Sequence, residues 1–197
     1  MRNLTKNEMM ATLTILKSPE ILYNSRTLSK VLGISHMGCL KILKRLEKGY
    51  ILESTHIGRS IVYKVDAKNS YSKAYTKFLL SNEAENSSPF VRKWIHEIRK
   101  IKNCSLAILF GSILRKTGPE DIDVLFITDQ QKFNKLKKEV EELNELNLKK
   151  IHPIYQTEKD LIENIKKRDK VILNAIKGIV AVGEEEFLEV YNESRRE

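Results

Sequence analysis

The stretch that decides the fold reads LSKVLGISHMGCLKIL over residues 28–43 and continues as LEKGYI over residues 46–51. Apolar residues in a helical rhythm end at Leu32, Gly33 follows in the turn position, and Ser35 can cap the next helix. At about 100° per residue, one side of that next helix is apolar throughout. Its members are Cys39, Ile42, Leu43 and Leu46. The sequence therefore predicts two helices joined by a tight turn, the second of which is buried along one side.

The opposite side of this second helix is basic and carries Met37, Gly38, Lys41, Lys44 and Lys48. A DNA major groove about 12 Å wide accepts one helix, whose amino-terminal side chains reach base edges while Lys and Arg reach phosphates. The base-contacting candidates are Ser35, His36, Met37, Gly38 and Lys41, and the phosphate-contacting candidates are Lys44, Arg45 and Lys48. A basic side that is only solvated is the alternative, and His36 near a helix start can serve in local capping alone.

Elements on both sides extend the pattern. A helix is predicted over residues 7–17, and the helix that ends at Leu32 begins with Ser25 as its cap and has Leu28, Val31 and Leu32 facing inward. Residues 50–54 and 61–65 alternate like strands around a tight turn at 56–60. The order resembles the winged helix-turn-helix of small prokaryotic transcription regulators, over about residues 5–66. The resemblance implies double-stranded DNA as the partner, with Arg59 at the hairpin tip contacting the minor groove or the backbone.

The positive charge of the chain is unevenly distributed. The net charge is +9, and residues 1–80 hold 14 Lys and Arg against five acids, so the remaining 117 residues are neutral. A basic module followed by a neutral one predicts that only the first meets a polyanion. Compositional bias of the genome toward Lys is the alternative origin of such a charge.

A fourth helix is predicted over residues 70–80, and the polar, proline-bounded residues 81–89 are predicted to be a linker. We interpret the apolar residues of this helix as a contact surface, between copies of the chain or between domains, rather than as a ligand pocket. They are Tyr71, Tyr75, Phe78 and Leu79. The predicted organisation is a winged-helix domain over 1–80, the linker, and a second domain over 90–197, in a homodimer.

Helices and strands alternate in the second domain. Helices are predicted over 90–101, over 131–146 and from 157 onward, and strands over 105–110, 122–128 and 149–155. Such alternation predicts a sheet with helices packed on it. The predicted fold class of the whole chain is therefore α+β, with two domains and a mixed sheet in the second.

Paired acids follow the turn after the first of these strands. Phe110-Gly111-Ser112 ends that strand, and Asp121-Ile122-Asp123 opens the next. In a strand the i, i+2 spacing puts both carboxylates on one face, beside a turn with free backbone N–H groups. Two oxygen ligands beside such a turn are what a divalent cation carrying a polyphosphate needs.

This combination resembles the signature of the nucleotidyltransferase superfamily, in particular its minimal, antitoxin-like members, over about residues 90–190. The resemblance implies that Gly111 and Ser112 hold the phosphates of a nucleoside triphosphate and that Asp121 and Asp123 hold magnesium. Active members place a third carboxylate on a later strand, expected within residues 148–155. This chain has no acid there, and His152 is the nearest polar residue. Arg115 and Lys116 could neutralise the two aspartates instead.

The sequence thus predicts a DNA-binding transcription regulator with an inactive nucleotidyltransferase-like domain that serves assembly or nucleotide sensing. Two alternatives remain open: an active magnesium-dependent nucleotidyltransferase that modifies a protein hydroxyl, and an antitoxin-like partner of another protein. No apolar run approaches the roughly 18 residues needed to span a membrane, which predicts a cytoplasmic protein without membrane contact. Cys39 and Cys104, far apart among apolar neighbours, are predicted to be buried reduced thiols.

Overall fold

The chain divides into two compact units, Met1–Leu79 and Leu80–Glu197. The structure, a computed structural model, describes residues 5–115 and 119–195. Within these residues there are nine α-helices, a two-stranded sheet and a four-stranded mixed sheet. The predicted α+β class with a mixed sheet is confirmed.

The first unit contains three helices followed by an antiparallel hairpin and the start of a fourth helix. The helices are α1 (Lys6–Leu16), α2 (Ser25–Leu32) and α3 (His36–Lys48), and the hairpin strands are β1 (Leu52–Ile57) and β2 (Ser60–Val65). This order of elements is that of a winged helix-turn-helix, as the sequence predicts.

The third helix is buried along one side, in agreement with its sequence pattern. Cys39, Leu43 and Leu46 are almost completely buried. They belong to the side of α3 that contacts α1, α2 and β1, and α1 contributes Ala11 and Ile15 at i, i+4 spacing to the same core. Full burial of a Leu or Ile side chain contributes roughly 1.5–3 kcal/mol. The burial of this side therefore fixes which side of α3 faces solvent.

The start of α2 differs from the prediction. Asn24, and not Ser25, is its cap, because the Asn24 side chain accepts hydrogen bonds from the backbone N–H groups of Arg26 and Thr27. The inward placement of Val31 is also wrong, since its side chain is 59% exposed. Ser29 lies on the buried side instead, where its hydroxyl donates to the carbonyl oxygen of Arg26 at 2.9 Å. A serine whose hydroxyl is hydrogen-bonded can be buried, although the spacing of apolar residues does not predict its burial.

Glycines with positive φ determine two turns of the first unit. Gly33 ends α2 with a φ of 64°, a left-handed conformation that glycine adopts without steric cost. In the hairpin, Ile57 pairs with Ser60, which leaves Gly58 and Arg59 as a two-residue turn. Gly58 has a φ of 57°, the sign required at the first central position of a type II′ turn. The turn is therefore tighter than the predicted 56–60.

The helix after the hairpin, α4 (Ser70–Glu85), is longer than the predicted 70–80. Its four predicted contact residues also differ in burial. Tyr75 and Leu79 are buried, whereas Tyr71 and Phe78 are 60% and 57% exposed. The buried side also contains Ser72, whose hydroxyl donates to the carbonyl oxygen of Ile51 at 2.9 Å. Half of the predicted contact surface is therefore core, and Tyr71 and Phe78 remain on its flank.

The predicted linker over residues 81–89 is wrong for most of its length. Helix α4 continues to Glu85, and α5 begins at Pro89 with Ser88 as its cap. Polar residues continue the helix here because Ala84 is buried and the Glu85 carboxylate accepts from Arg99 Nη1 at 2.7 Å. Proline is favoured in the first turn of a helix, so Pro89 marks a start and not a loop.

The second unit is built around the mixed sheet. Its helices after α4 are α5 (Pro89–Ile98), α6 (Phe133–Leu146), α7 (Glu158–Lys166), α8 (Lys170–Ala175) and α9 (Glu184–Ser194). Its strands are β3 (Leu106–Phe110), β4 (Ile122–Ile127), β5 (Ile151–Gln156) and β6 (Ile179–Val182), and a single 3₁₀ turn covers Gly111–Leu114. The strand order is β5-β4-β3-β6, with β4 parallel to β5 and β3 antiparallel to both of its neighbours.

Helices cover both faces of this sheet. On one face, Leu109 of β3 and Val124 of β4 belong to a core that includes Trp94 of α5 and Val140 of α6. On the other face, α8 and α9 contact β3, and α7 contacts β5. Because β3 and β4 are antiparallel, the end of β3 and the start of β4 lie at the same edge of the sheet. That edge holds Gly111, Asp121 and Asp123.

Replacing Asn24 with Ala should lower the free energy of unfolding by about 1 kcal/mol, because two backbone N–H groups at the start of α2 lose their acceptor. Chemical denaturation followed by circular dichroism measures this loss. Arg26→Ala serves as the comparison and should cost clearly less, since the Arg26 side chain is exposed and only its backbone N–H takes part in the cap. A larger loss for Arg26→Ala than for Asn24→Ala would contradict the assignment.

Candidate functional site

The exposed side of α3 is basic from Lys41 to its carboxyl end at Lys48. Lys41, Lys44, Arg45 and Lys48 are all exposed, and Met37 near the amino end of the helix is 59% exposed. Residues spaced three or four apart on a helix are surface neighbours, so these cations form one continuous strip. The structure therefore presents to solvent every Lys and Arg that the sequence assigned to α3.

Ser35 and Gly38, both predicted to contact bases, together form the start of α3. The Ser35 hydroxyl accepts a hydrogen bond from the backbone N–H of Gly38 at 3.1 Å. A Cβ atom on Gly38 would lie only 2.9 Å from the Ser35 Oγ, so the missing side chain leaves room for the cap. Both residues thus have a structural role in the helix start, whether or not they contact a base.

His36 is tied to the preceding helix. Its Nε2 lies 2.8 Å from the Oγ of Ser25, and this hydrogen bond joins the first turns of α2 and α3. The bond is exposed to solvent, so it lies on the outer surface of the helix-turn-helix. One ring nitrogen of His36, predicted as a base contact, is therefore used within the protein.

Arg45 is tied to α1. Its Nε lies 3.1 Å from Oε1 of Glu8, a carboxylate whose side chain is only 5% exposed, while the Arg45 side chain is 41% exposed. The sequence pattern predicts Arg45 as a free phosphate contact and gives no sign of this ion pair. Glu8 is separated from Arg45 by 37 positions, and only the packing of α1 on α3 brings them together.

The tip of the hairpin is exposed from His56 to Ile61 and places Arg59 at its end. Ile57 and Ile61, which flank the turn, are 49% and 37% exposed. The sequence prediction named only Arg59 here. Alternation along the strands could have identified Ile57 and Ile61 as apolar residues that extend beyond the core.

At the edge of the mixed sheet, Gly111 and Asp123 are in close contact. Gly111 has a φ of 80°, and a Cβ atom built on it would overlap the Asp123 Oδ2 and lie 2.9 Å from its Cγ. Phe110, the residue before this turn, is paired with Asp123 across β3 and β4. Only glycine can occupy position 111 while the Asp123 carboxylate lies over the turn. The structure thus brings the predicted phosphate turn and one predicted metal ligand together.

The predicted metal ligands do not form a complete metal site. Asp121 is exposed and precedes β4, Asp123 is half-buried within β4, and the neighbour of Asp123 on β5 is His152. Across residues 5–115 and 119–195, no group of three or more His, Cys, Asp or Glu side chains could hold a metal ion. Magnesium prefers oxygen ligands in octahedral geometry, and an imidazole is a poor substitute for a carboxylate. The donor set of the described residues therefore does not fit a catalytic magnesium site.

Of the two predicted basic partners of the aspartates, Arg115 is the one that the structure describes. Arg115 is exposed, and no ion pair between it and Asp121 or Asp123 is present among the described residues. Lys116 lies outside the described residues. The prediction that these cations neutralise the acids is therefore not supported for Arg115.

A cavity of about 920 Å³ lies at the opposite end of β4 and β5. Its lining includes Thr128, Asp129, Lys132 and Lys159, and none of the predicted nucleotide or metal residues. Thr157 and Asp160 in this lining form a capping box at the start of α7, and Lys132 pairs with Asp129 at 3.5 Å.

Burial affects the thiols of both cysteines. Burial raises the pKa of the Cys39 thiol, and burial, with a smaller contribution from the Glu139 carboxylate, raises the pKa of Cys104 to about 11. Cys39 is buried, as predicted, whereas Cys104 is only partly buried.

No protein-family model matches this chain, and no curated protein matches its sequence. Among solved structures, two mutants of ZitR from Lactococcus lactis are similar, with 16% and 15% sequence identity. They cover 50% and 51% of this chain and 73% and 76% of their own, at TM-scores of 0.32 and 0.29. Similarity this remote supports no functional conclusion. No helix in the described part of the chain is long and apolar enough to cross a membrane.

Replacing Gly111 with Ala should lower the free energy of unfolding by about 3–4 kcal/mol, because it combines a strained φ with displacement of the Asp123 carboxylate. Gly33→Ala is the matched control. Gly33 has a similar φ of 64° but no atom within 4 Å of the added Cβ, so it should lose only about 1–2 kcal/mol. Urea denaturation of both variants gives the comparison, and equal losses would show that the contact with Asp123 does not constrain the turn.

Proposed function

We propose that this protein is a DNA-binding transcription regulator, in which α3 enters the major groove and the hairpin β1–β2 lies against the adjacent backbone or minor groove. The observation that carries the proposal is the continuous basic strip of Lys41, Lys44, Arg45 and Lys48 on the only side of α3 that packing leaves in solvent. Phosphate contacts from Lys and Arg supply most of the affinity of such an interface.

The geometry of the helix-turn-helix supports this assignment. Gly33 and the Ser35 cap hold the amino end of α3 at the surface, and the bond between Ser25 and His36 fixes the turn from outside. Met37 and Lys41 then extend from the amino-terminal half of α3, where base contacts are made in this class of motif. Ser35, His36 and Gly38 fix the position of this helix start.

The charge distribution supports the same interface. All of the net charge of +9 resides in residues 1–80, and the rest of the chain carries 21 basic and 21 acidic residues. We further propose that the protein acts in the cytoplasm as a homodimer. Tyr71 and Phe78, exposed at i, i+7 on one flank of α4, are the residues that we assign to the dimer contact.

For the second unit we propose a nucleotidyltransferase-like domain that does not catalyse transfer and serves assembly or nucleotide sensing. The close approach of the Asp123 carboxylate to the Gly111–Ser112 turn supports a relationship to a phosphate-binding site. The position of His152 opposite Asp123, where a further carboxylate would complete a magnesium site, supports the loss of catalysis.

The double variant Lys41→Ala/Lys44→Ala should weaken binding to the preferred genomic fragment about tenfold or more, because two contacts to DNA are lost together. Fluorescence anisotropy with a library of genomic fragments at fixed salt measures the affinity.

The control is Lys68→Ala/Lys73→Ala, which removes the same charge from exposed positions outside α3 and should change the affinity much less. Equal weakening by the two double variants would show that binding depends on net charge and not on the position of the lysines on α3. Absence of preference for any fragment would reject a sequence-specific regulator.

The competing function is magnesium-dependent transfer of a nucleotidyl group to a protein, which the contact between Gly111 and Asp123 favours. We expect no transfer of label from nucleoside triphosphates to this chain or to co-purifying proteins, since the described residues do not form a metal-binding group of three. Labelling that disappears in Asp121→Asn/Asp123→Asn would establish the enzyme instead. Calorimetry with magnesium-ATP and magnesium-CTP separates nucleotide sensing, which gives saturable heat, from a role in assembly alone.

A further inference from the structure

Glu8 is a buried carboxylate that the interface described so far does not use. It lies on α1, is 4% exposed, and its two carboxylate oxygens contact Thr5 and Arg45. Oε2 accepts from the backbone N–H of Thr5 at 2.8 Å and from the Thr5 hydroxyl at 2.9 Å, while Oε1 forms an ion pair with Arg45, 3.1 Å from its Nε. A buried carboxylate needs such donors because it has lost its hydration.

The same contact constrains Arg45. A guanidinium group is planar and has five N–H donors, so an ion pair through Nε leaves its two Nη groups available to a second partner. The Arg45 side chain is 41% exposed, whereas the Glu8 side chain is 5% exposed. The carboxylate therefore lies on the protein side of the pair, and the Arg45 side chain retains access to solvent.

The position of Arg45 on α3 determines what these groups can meet. Lys41 precedes it by one turn and Lys48 follows by one turn, and both are exposed on the basic strip. Arginine binds a phosphate through two parallel N–H groups when its plane is fixed. A flexible arginine must lose its rotational freedom on binding, whereas a fixed one has already lost it on folding.

Resting on the proposed function, we propose that Glu8 is a positioning residue of the DNA interface, which orients the Arg45 guanidinium so that its Nη groups bind one DNA phosphate. Glu8 itself does not touch DNA. Its negative charge is balanced within the protein by Arg45, and its second oxygen completes the cap of α1. The first turn of α1 and the basic strip of α3 are thus joined through a single carboxylate.

The experiment measures DNA affinity as a function of salt for purified full-length variants, with the tightest-binding genomic fragment as probe. Glu8→Gln should weaken binding roughly three- to tenfold, because the Arg45 guanidinium is no longer held where it can contact the phosphate and that contact is lost. It should also lower the slope of log affinity against log salt by about 0.9, the value for one phosphate contact. A purely structural role of Glu8 would not change this slope.

Three controls isolate the effect. Glu53→Gln removes another carboxylate of the same unit, paired with Lys64 on the hairpin at 3.2 Å, and should bind at least as tightly as the wild type. Asn24→Ala removes the cap of α2 and contacts neither Glu8 nor Arg45, so it should lower the melting temperature and leave the salt slope unchanged. Glu8→Gln/Arg45→Ala should bind no more weakly than Arg45→Ala alone.

The outcomes distinguish this inference from the proposed function. Wild-type affinity and slope in Glu8→Gln, in a protein whose binding Arg45→Ala does weaken, would overturn the role of Glu8 and leave the regulator intact. Failure of the wild type to prefer any DNA fragment would overturn both. If Glu8→Gln does not fold, Arg45→Lys replaces it, because a single ammonium cannot hold Glu8 and a phosphate as the fork does. Wild-type binding by Arg45→Lys would then reject the inference.

Discussion

The packing of one side of α3 against α1, α2 and β1 is the constraint on which the rest of the first unit depends. Cys39, Leu43 and Leu46 leave α3 no freedom to rotate about its own axis, because any rotation would expose them to water. The direction of every lysine on the opposite side is a consequence of that burial. The side of α3 that this unit presents to solvent is therefore set by its core.

The order of helices, strands and turns along the chain was predictable wherever periodicity or turn chemistry determined the structure. The buried side of α3 follows from spacing in the sequence, and the turn at Gly33 follows from the left-handed conformation of glycine. The proximity of Gly111 to Asp123 follows from a short return between antiparallel strands. His152 lies beside Asp123 on β5, the later strand on which the sequence indicates it as the polar residue nearest the place of a third carboxylate.

Other features depend on side-chain partners that lie far apart in the sequence. The Glu8–Arg45 pair joins two helices, and no local pattern distinguishes Glu8 from an exposed acid in a first helical turn. Ser29 and Ser72 are buried because a carbonyl oxygen accepts from each hydroxyl. Residues 81–85 look like a linker by composition, but the burial of Ala84 and the partner of Glu85 keep them helical. Polar residues that become buried are where sequence patterns fail, since their partners are tertiary.

The two-residue turn of the hairpin has a consequence for how the first unit can vary. Ile57 pairs with Ser60 and His56 with Ile61, so the strand register is set directly by Gly58 and Arg59. One inserted residue would shift one strand by a single position, and side chains beyond it would exchange the two faces of the ribbon. Homologous chains should therefore replace Arg59 more readily than they lengthen this loop. The length of the hairpin β1–β2, and with it the distance of its tip from the sheet base, is thus set by a turn of only two residues.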